Sequence, residues 1–342
     1  MVLLSCSRTI LRSRQAGRRV DLVLGLLLAV GVITGLTADA IGVNWRLDLI
    51  QLHAAAAVAI LLVAPWKYVV IRRGLHRPRR ARSMKALSLI LLAFVLITIG
   101  SGLLHSTGHA EFVGPLSLIQ IHVGAAVGAS LALLAHFTGH AVRPRPADAD
   151  RRALLRLAVL AAGAAVGTAA WDSWAATRRR FTGSVPKPAL EVTSWFDDGV
   201  QRLDPAKWTL RVGPATFDLA TVQALPQERF TATLDCTSGW YSTQVWDGIR
   251  LSTLLTTAGV PLSGHRSVEI SSSTGYARWF GLDTLDDVWL ATAVGGAPLT
   301  YGHGFPARIV APGRRGFWWV KWVVSIEPVT RPPWAQSPFP LS

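Results

Sequence analysis

The chain has 342 residues, enough for two domains, and half of it is hydrophobic. It carries 35 Lys and Arg against 20 Asp and Glu, a net charge of +15, and the basic residues bracket long apolar runs. That distribution points to a lipid bilayer and excludes nucleic acid as the expected partner, while two cysteines exclude a disulfide scaffold. Residues 1–19 contain Arg8, Arg12, Arg14, Arg18 and Arg19 and no acid, and read as a cytoplasmic leader. No small-residue cleavage site follows promptly and further apolar runs come after it, which argues against a cleaved signal peptide. Five runs, 22–40, 49–71, 86–104, 116–142 and 153–171, are each long enough to cross about 30 Å of hydrocarbon as a helix. The links at 72–82 and 143–152 are strongly basic, whereas the loops near 43–45 and 107–114 are almost uncharged. The positive-inside rule then places the N-terminus in the cytoplasm and everything beyond Trp174 outside. Arg178, Arg179 and Arg180, just past the fifth run, go against the rule.

The membrane half contains a repeat. Leu49-Ile-Gln-Leu-His53-Ala-Ala-Ala-Ala-Val parallels Leu118-Ile-Gln-Ile-His122-Val-Gly-Ala-Ala-Val, so the first four spans read as two copies of a helix pair. His53 and His122 fall at matching depth near the outer face, where polar side chains are expensive and usually functional. Two such histidines suit the axial ligation of one b-type haem, with small neighbours leaving room for a porphyrin; the alternative is a pair of structural histidines bonded across the bundle. A second haem on His136 lacks a partner, because the equivalent position is Lys67. His105 and His109 sit at the outer mouth, where an interfacial or quinone-site role competes with the plainer reading that they have neither, and His76 and His140 read as solvated interface residues. The fifth span opens with Asp150-Arg151-Arg152-Ala-Leu154-Leu155-Arg156 before an Ala/Gly-rich run, which resembles a twin-arginine export signal placed inside the chain. The plainer reading makes Arg151 and Arg152 positive-inside residues only.

A basic linker follows to Pro188, and from Glu191 short alternating runs separated by turn residues predict a β-rich fold. The expected strands are 208–212, 230–234, 267–271, 288–293, 307–311 and 319–327, and the clearest helix is 251–258. Within this half, Phe230-Thr-Ala-Thr-Leu-Asp-Cys236-Thr-Ser-Gly239-Trp240 reads as a strand running into a turn that holds a cysteine. The other cysteine, Cys6, belongs to the leader on the opposite side of the membrane, so Cys236 has no disulfide partner. A lone thiol in that setting is packing, a nucleophile or a metal ligand.

The stretch around Cys236 resembles the molybdenum-cofactor domain of the sulfite oxidase family. Gly296-Ala-Pro298-Leu299-Thr-Tyr-Gly302-His303-Gly304-Phe-Pro306-Ala-Arg308 resembles the family's second signature, and Gly316-Phe-Trp-Trp-Val-Lys321-Trp322 its third. The resemblance covers roughly 192–329. It implies that Cys236 supplies a thiolate to molybdenum, which takes soft anionic ligands, and that His303, Arg308 and Lys321 contact the molybdopterin. Surface ion pairing is the competing role for Arg308 and Lys321, and turn stabilisation for His303. Arg314 and Arg315 are expected in an exposed loop, and Trp240, Tyr241 and Tyr276 at a substrate mouth or in the core. No clear equivalent of the multi-arginine pocket that sulfite requires is present, which argues against sulfite as substrate.

The expected fold is therefore an all-α membrane helix bundle of five spans followed by an extracytoplasmic β-rich α+β molybdopterin-binding domain. Its parts are a leader (1–19), a four-helix membrane domain (20–145), the fifth span (146–175), a linker (176–190), the cofactor domain (191–330) and a tail (331–342). The bundle loosely resembles cytochrome b-type membrane domains that partner molybdenum enzymes, and the whole layout resembles a group of polytopic actinobacterial membrane proteins. The expected function is a membrane-bound molybdenum oxidoreductase. It would act on a small extracytoplasmic substrate, exchange electrons with a quinone or other membrane redox partner through haem, and reach the membrane by the general and twin-arginine export machinery. Two rivals remain: a cofactor-free sensor or assembly protein, and a hydrolase using Cys236 with His303.

Overall fold

A computed structural model describes residues 2–41, 49–75, 82–108, 112–113, 116–140, 145–148, 150–175, 179–193 and 199–337. His76, His109, Arg178 and the side chains of Cys6 and His140 lie outside the described residues. The chain divides into two compact units, residues 1–38 with 46–183 and residues 39–45 with 184–342.

The first unit is helical. Its elements are α1 (Val2–Ile41), α2 (Leu49–Leu75), α3 (Arg82–Thr107), a short hairpin of β1 (Phe112–Val113) and β2 (Leu116–Ser117), α4 (Leu118–His140) and α5 (Arg151–Ala175). Each of the five helices contains a stretch long and apolar enough to cross a membrane. Their packing is the reverse of a soluble bundle. Most of the buried positions are small, with Ala56, Ala59, Ala125, Ala129, Ala132 and Ala164 in the contacts, while Leu131 (64% exposed), Val166 (69%) and Val159 (72%) point outward. Small residues allow close helix approach, and an outward apolar coat suits hydrocarbon rather than water.

Two sequence expectations change. The leader is not separate from the first span, because α1 continues through it for 40 residues. Arg18 and Arg19 there pair with Asp148 and Asp150, which precede α5. The fourth helix starts at Leu118 rather than 116, because Leu116 and Ser117 belong to the hairpin. Ser117 then caps α4 reciprocally: its hydroxyl accepts from Gln120 N–H (3.2 Å), and Gln120 Oε1 accepts from Ser117 N–H (2.8 Å).

The second unit is two sheets around one core. Its elements are β3 (Val185–Pro186), β4 (Thr209–Val212), β5 (Ala215–Asp218), α6 (Leu219–Ala224), β6 (Glu228–Asp235), β7 (Trp240–Arg250) and α7 (Leu251–Thr257). They continue as β8 (Ser267–Ser272), β9 (Ala277–Gly281), β10 (Trp289–Val294), β11 (Ala297–Pro298), β12 (Arg308–Val310) and β13 (Val323–Val329). One sheet has the order β11-β10-β7-β3, with β12 on β10 and β6 on β7; the other has the order β5-β4-β13-β8-β9. The strands alternate, so Leu210, Val212, Val268, Ile270, Leu290, Ile309, Val323 and Ile326 turn inward with Trp246 and Trp319 between the layers. Gly248 on β7 has no room for a side chain, since a Cβ there would lie 2.7 Å from the Leu290 carbonyl oxygen.

The strand expected over 319–327 begins only at Val323. A 3-10 turn at Gly316–Trp318 and the left-handed backbone of Trp322 (φ 52°) occupy the residues before it. The chain joins the sheet earlier than the expected 191: Val185 and Pro186 pair in parallel with Trp240 and Tyr241.

Candidate active site at Cys236

β6 and β7 pair in register from Glu228↔Gly248 to Asp235↔Tyr241, which leaves residues 236–239 as the hairpin turn. Cys236 N–H donates to Trp240 O (2.8 Å), and Gly239 N–H donates to Cys236 O (3.1 Å). Gly239 closes the turn with φ 88°, a conformation that favours glycine. Cys236 is thus held at a strand end by backbone bonds, and it is buried.

Three other segments converge on it. The 311–318 loop presses in from one side, where a Cβ on Gly316 would come within 3.1 Å of Cys236 Cα. Arg315 in that loop is buried (3% exposed) and pairs with Asp235, which also accepts from Ser184 Oγ (2.7 Å). This corrects the exposed-loop expectation for Arg315: the acid that fixes it lies 80 residues away in the sequence. Arg314 is half-buried, with its guanidinium 4.7 Å from the Trp318 ring centre.

Arg308, on β12, is fully buried and has no carboxylate pair among the described residues. Its Nη1 donates to His303 O (3.1 Å) and its Nη2 to Trp319 O (3.3 Å), while its guanidinium lies against the Trp246 and Trp319 rings. Burial pushes its pKa down to about 10, and the Cys236 sulfur acts in the opposite sense. Surface ion pairing is therefore not its role. A buried cation satisfied by neutral acceptors beside a thiol is a costly arrangement, and it favours an anion at that place. Lys321 Nζ donates to Thr193 O and Gly302 O, each at 2.8 Å.

His303 uses both ring nitrogens within the fold. Nε2 donates to Leu190 O (3.0 Å), so Nδ1 is the acceptor for Thr300 Oγ1 (2.9 Å). Burial lowers its pKa from 6.5, the bond to Leu190 opposes this, and Arg308 and Lys321 reinforce it. Neither nitrogen is available as a base for the thiol, which removes the basis for a Cys236–His303 hydrolase. Tyr276 packs partly buried against the core: its hydroxyl donates to Phe317 O (2.7 Å) and accepts from Arg278 Nε (2.6 Å). Trp240 is buried, and its Nε1–H has no hydrogen-bond partner among the described residues.

The sequence reading missed Thr193, whose Oγ1 lies 3.2 Å from Cys236 Sγ. It also missed Asp235. An acid next to the cysteine in an alternating strand was the available signal for Asp235; nothing local marks Thr193.

The helical unit brings the two histidines singled out in the repeat together. His53 and His122 come together with ring centroids 5.8 Å apart and planes at 70°. His53 Nδ1 donates to Gly31 O (2.9 Å) and His122 Nδ1 to Thr98 O (2.8 Å), which leaves the lone pair on Nε2 in each ring. Glycines at equivalent positions back the rings. A Cβ on Gly35 would meet His53 at 3.1 Å, and one on Gly102 would meet His122 at 2.9 Å. The two rings are thus adjacent, each oriented by a main-chain carbonyl. The position that would complete a second site with His136 is Lys67, whose Nζ pairs with Asp21 (2.6 Å).

Residues 198–337 match the family described as oxidoreductase molybdopterin binding domain. The uncharacterized oxidoreductase YuiH of Bacillus subtilis (strain 168) is 30% identical over 159 residues, covering 43% of this chain and 79% of that protein. The chain belongs to the oxidoreductase molybdopterin-binding family. Human mitochondrial sulfite oxidase is 30% identical over 167 residues, 38% of this chain and 31% of that one. Barley nitrate reductase [NAD(P)H] is 29% identical over 177 residues, 47% of this chain and 19% of that one. The chain thus spans under a third of each of these two relatives.

The molybdopterin-binding domain has a donor set that fits its cofactor. Among the described residues no group of three or more His, Cys, Asp and Glu gathers. A metal at Cys236 must then bring its other ligands with it, as a metal already chelated by a pterin does. The thiol is soft, Arg308 supplies buried positive charge, and Trp240 Nε1–H is a buried donor in need of an acceptor.

Proposed function

We propose that the chain is a membrane-bound molybdenum oxidoreductase acting on a small extracytoplasmic substrate. The observation that carries this reading is Cys236, a buried thiol fixed at a hairpin turn with a buried cation beside it. Bound there, molybdenum would supply two-electron redox chemistry, such as oxygen-atom transfer. Cys236 would hold it as thiolate, Arg308 would offset cofactor anionic charge, and Trp240 Nε1–H would donate to a cofactor acceptor.

In the helical unit, His53 and His122 would ligate one b-type haem through Nε2, each held in that tautomer by a main-chain carbonyl. The haem would pass electrons singly between the molybdenum site and a membrane quinone or other redox partner. The five helices would span the membrane with the N-terminus in the cytoplasm, which puts Arg151 and Arg152 where a twin-arginine pathway would read them. That pathway carries folded domains, as a cofactor loaded in the cytoplasm requires.

The test is metal analysis and an optical spectrum on detergent-purified full-length protein. The reading expects one molybdenum per chain and a Soret band that shifts on dithionite reduction. Cys236→Ser should keep the Soret band and any pterin-borne molybdenum but change the Mo(V) electron paramagnetic resonance, because a sulfur ligand is lost. A Mo(V) spectrum identical to wild type would refute the ligand assignment, and a wild-type protein without molybdenum would favour a sensor or assembly role.

A further inference from the structure

We infer that the Thr193 hydroxyl donates a hydrogen bond to the Cys236 sulfur when that sulfur ligates molybdenum, and that Lys321 and His303 are positioning residues that hold Thr193 there. This rests on the molybdenum reading above. Thr193 Oγ1 lies 3.2 Å from Cys236 Sγ. A metal-bound thiolate carries no proton, so the hydroxyl must be the donor. The other donor, Ser238 N–H at 3.5 Å, belongs to the hairpin turn itself. Thr193 instead ends a stretch whose described residues, 187–193, form no helix or strand, and lies 43 residues before Cys236.

Such a residue needs anchoring, and the fold provides three ties. Lys321 Nζ binds Thr193 O and Gly302 O together (2.8 Å each). His303 Nε2 binds Leu190 O (3.0 Å). Val192 packs onto Gly302, where a Cβ would come within 2.7 Å of Val192 Cγ1. The 190–193 segment is thereby stitched to the 300–304 turn, and the hydroxyl is set over the sulfur. A hydrogen bond to a metal-bound sulfur withdraws electron density from it, weakens its donation to the metal and favours the reduced state.

The test compares four full-length, detergent-purified variants with wild type, by molybdenum content and then by electron paramagnetic resonance of Mo(V) during a redox titration. Thr193→Val keeps the shape and removes the hydroxyl, Thr193→Ala removes it without the second methyl, Thr193→Ser retains it, and Lys321→Met releases the anchor. The expected result is a lower Mo(VI)/Mo(V) midpoint and shifted Mo(V) g values in the Val and Ala variants at unchanged molybdenum content, with Ser at wild type and the same shift in the molybdenum that Lys321→Met retains. Wild-type midpoint and g values in Thr193→Val and Thr193→Ala overturn the inference. So does molybdenum loss from both with native tryptophan fluorescence, since the hydroxyl would then act in loading. A wild-type protein without molybdenum fails the underlying reading instead, and that is seen before any variant is made.

Discussion

Replacing Arg315 by Met isolates the buried ion pair behind the cysteine. Arg315 and Asp235 are 3% and 5% exposed, and their backbones also meet in a parallel bridge. Removing the guanidinium leaves the Asp235 carboxylate buried without its cation, which costs about 3–5 kcal/mol. Removing both charges with Arg315→Met and Asp235→Leu deletes the buried charge altogether. The Ser184 hydroxyl then loses the Asp235 oxygen as acceptor, a cost of at most about 1–3 kcal/mol. The double variant should therefore be more stable than Arg315→Met alone. Urea denaturation of the full chain in detergent measures this by tryptophan fluorescence, because ten of the fourteen tryptophans lie beyond residue 190. Alkylation of Cys236 in cofactor-free protein should also speed up in the single variant, since Asp235 precedes the thiol. A double variant as unstable as the single, or a single-variant loss below about 1 kcal/mol, would refute the reading of Arg315 and Asp235 as a buried, mutually compensating ion pair.

Two further outcomes are expected. His303 has its folded pKa lowered from 6.5 by burial, so the unfolded chain binds the proton more readily. Its contribution is complete above pH 6.5 and is lost as pH falls below that value; thermal midpoints against pH should show this slope, and His303→Gln should flatten it. Gly102→Ala places a Cβ 2.9 Å from the His122 ring, whereas a Cβ on Gly100 meets nothing within 4 Å. Gly102→Ala should weaken the Soret signature of the purified protein, Gly100→Ala should leave it unchanged, and equal spectra would count against His122 as a ligand.

The helices were legible because a bilayer demands length and apolarity together, and both are written locally. The strand–turn around Cys236 was legible for a similar reason, since alternation and a closing glycine are near-neighbour patterns. What stayed hidden depends on distant segments. Arg315 looked like a loop residue because its acid lies 80 positions away, and Thr193 is placed by Lys321 across 128 positions. Trp319 to Trp322 looked like strand because aromatic and β-branched residues dominate there; a 3-10 turn and one left-handed residue override that preference.

The hydrogen bonds that orient His53 and His122 end on main-chain carbonyls, those of Gly31 and Thr98. No side-chain replacement deletes a carbonyl, so positions 31 and 98 can drift while the rings keep their aim, and a Cβ added at Gly31 meets nothing within 4 Å. The intolerance moves one helical turn on, to Gly35 and Gly102, where a Cβ would strike the rings. A saturation scan of these helices should find the partners of the histidines silent and their bystander glycines unforgiving.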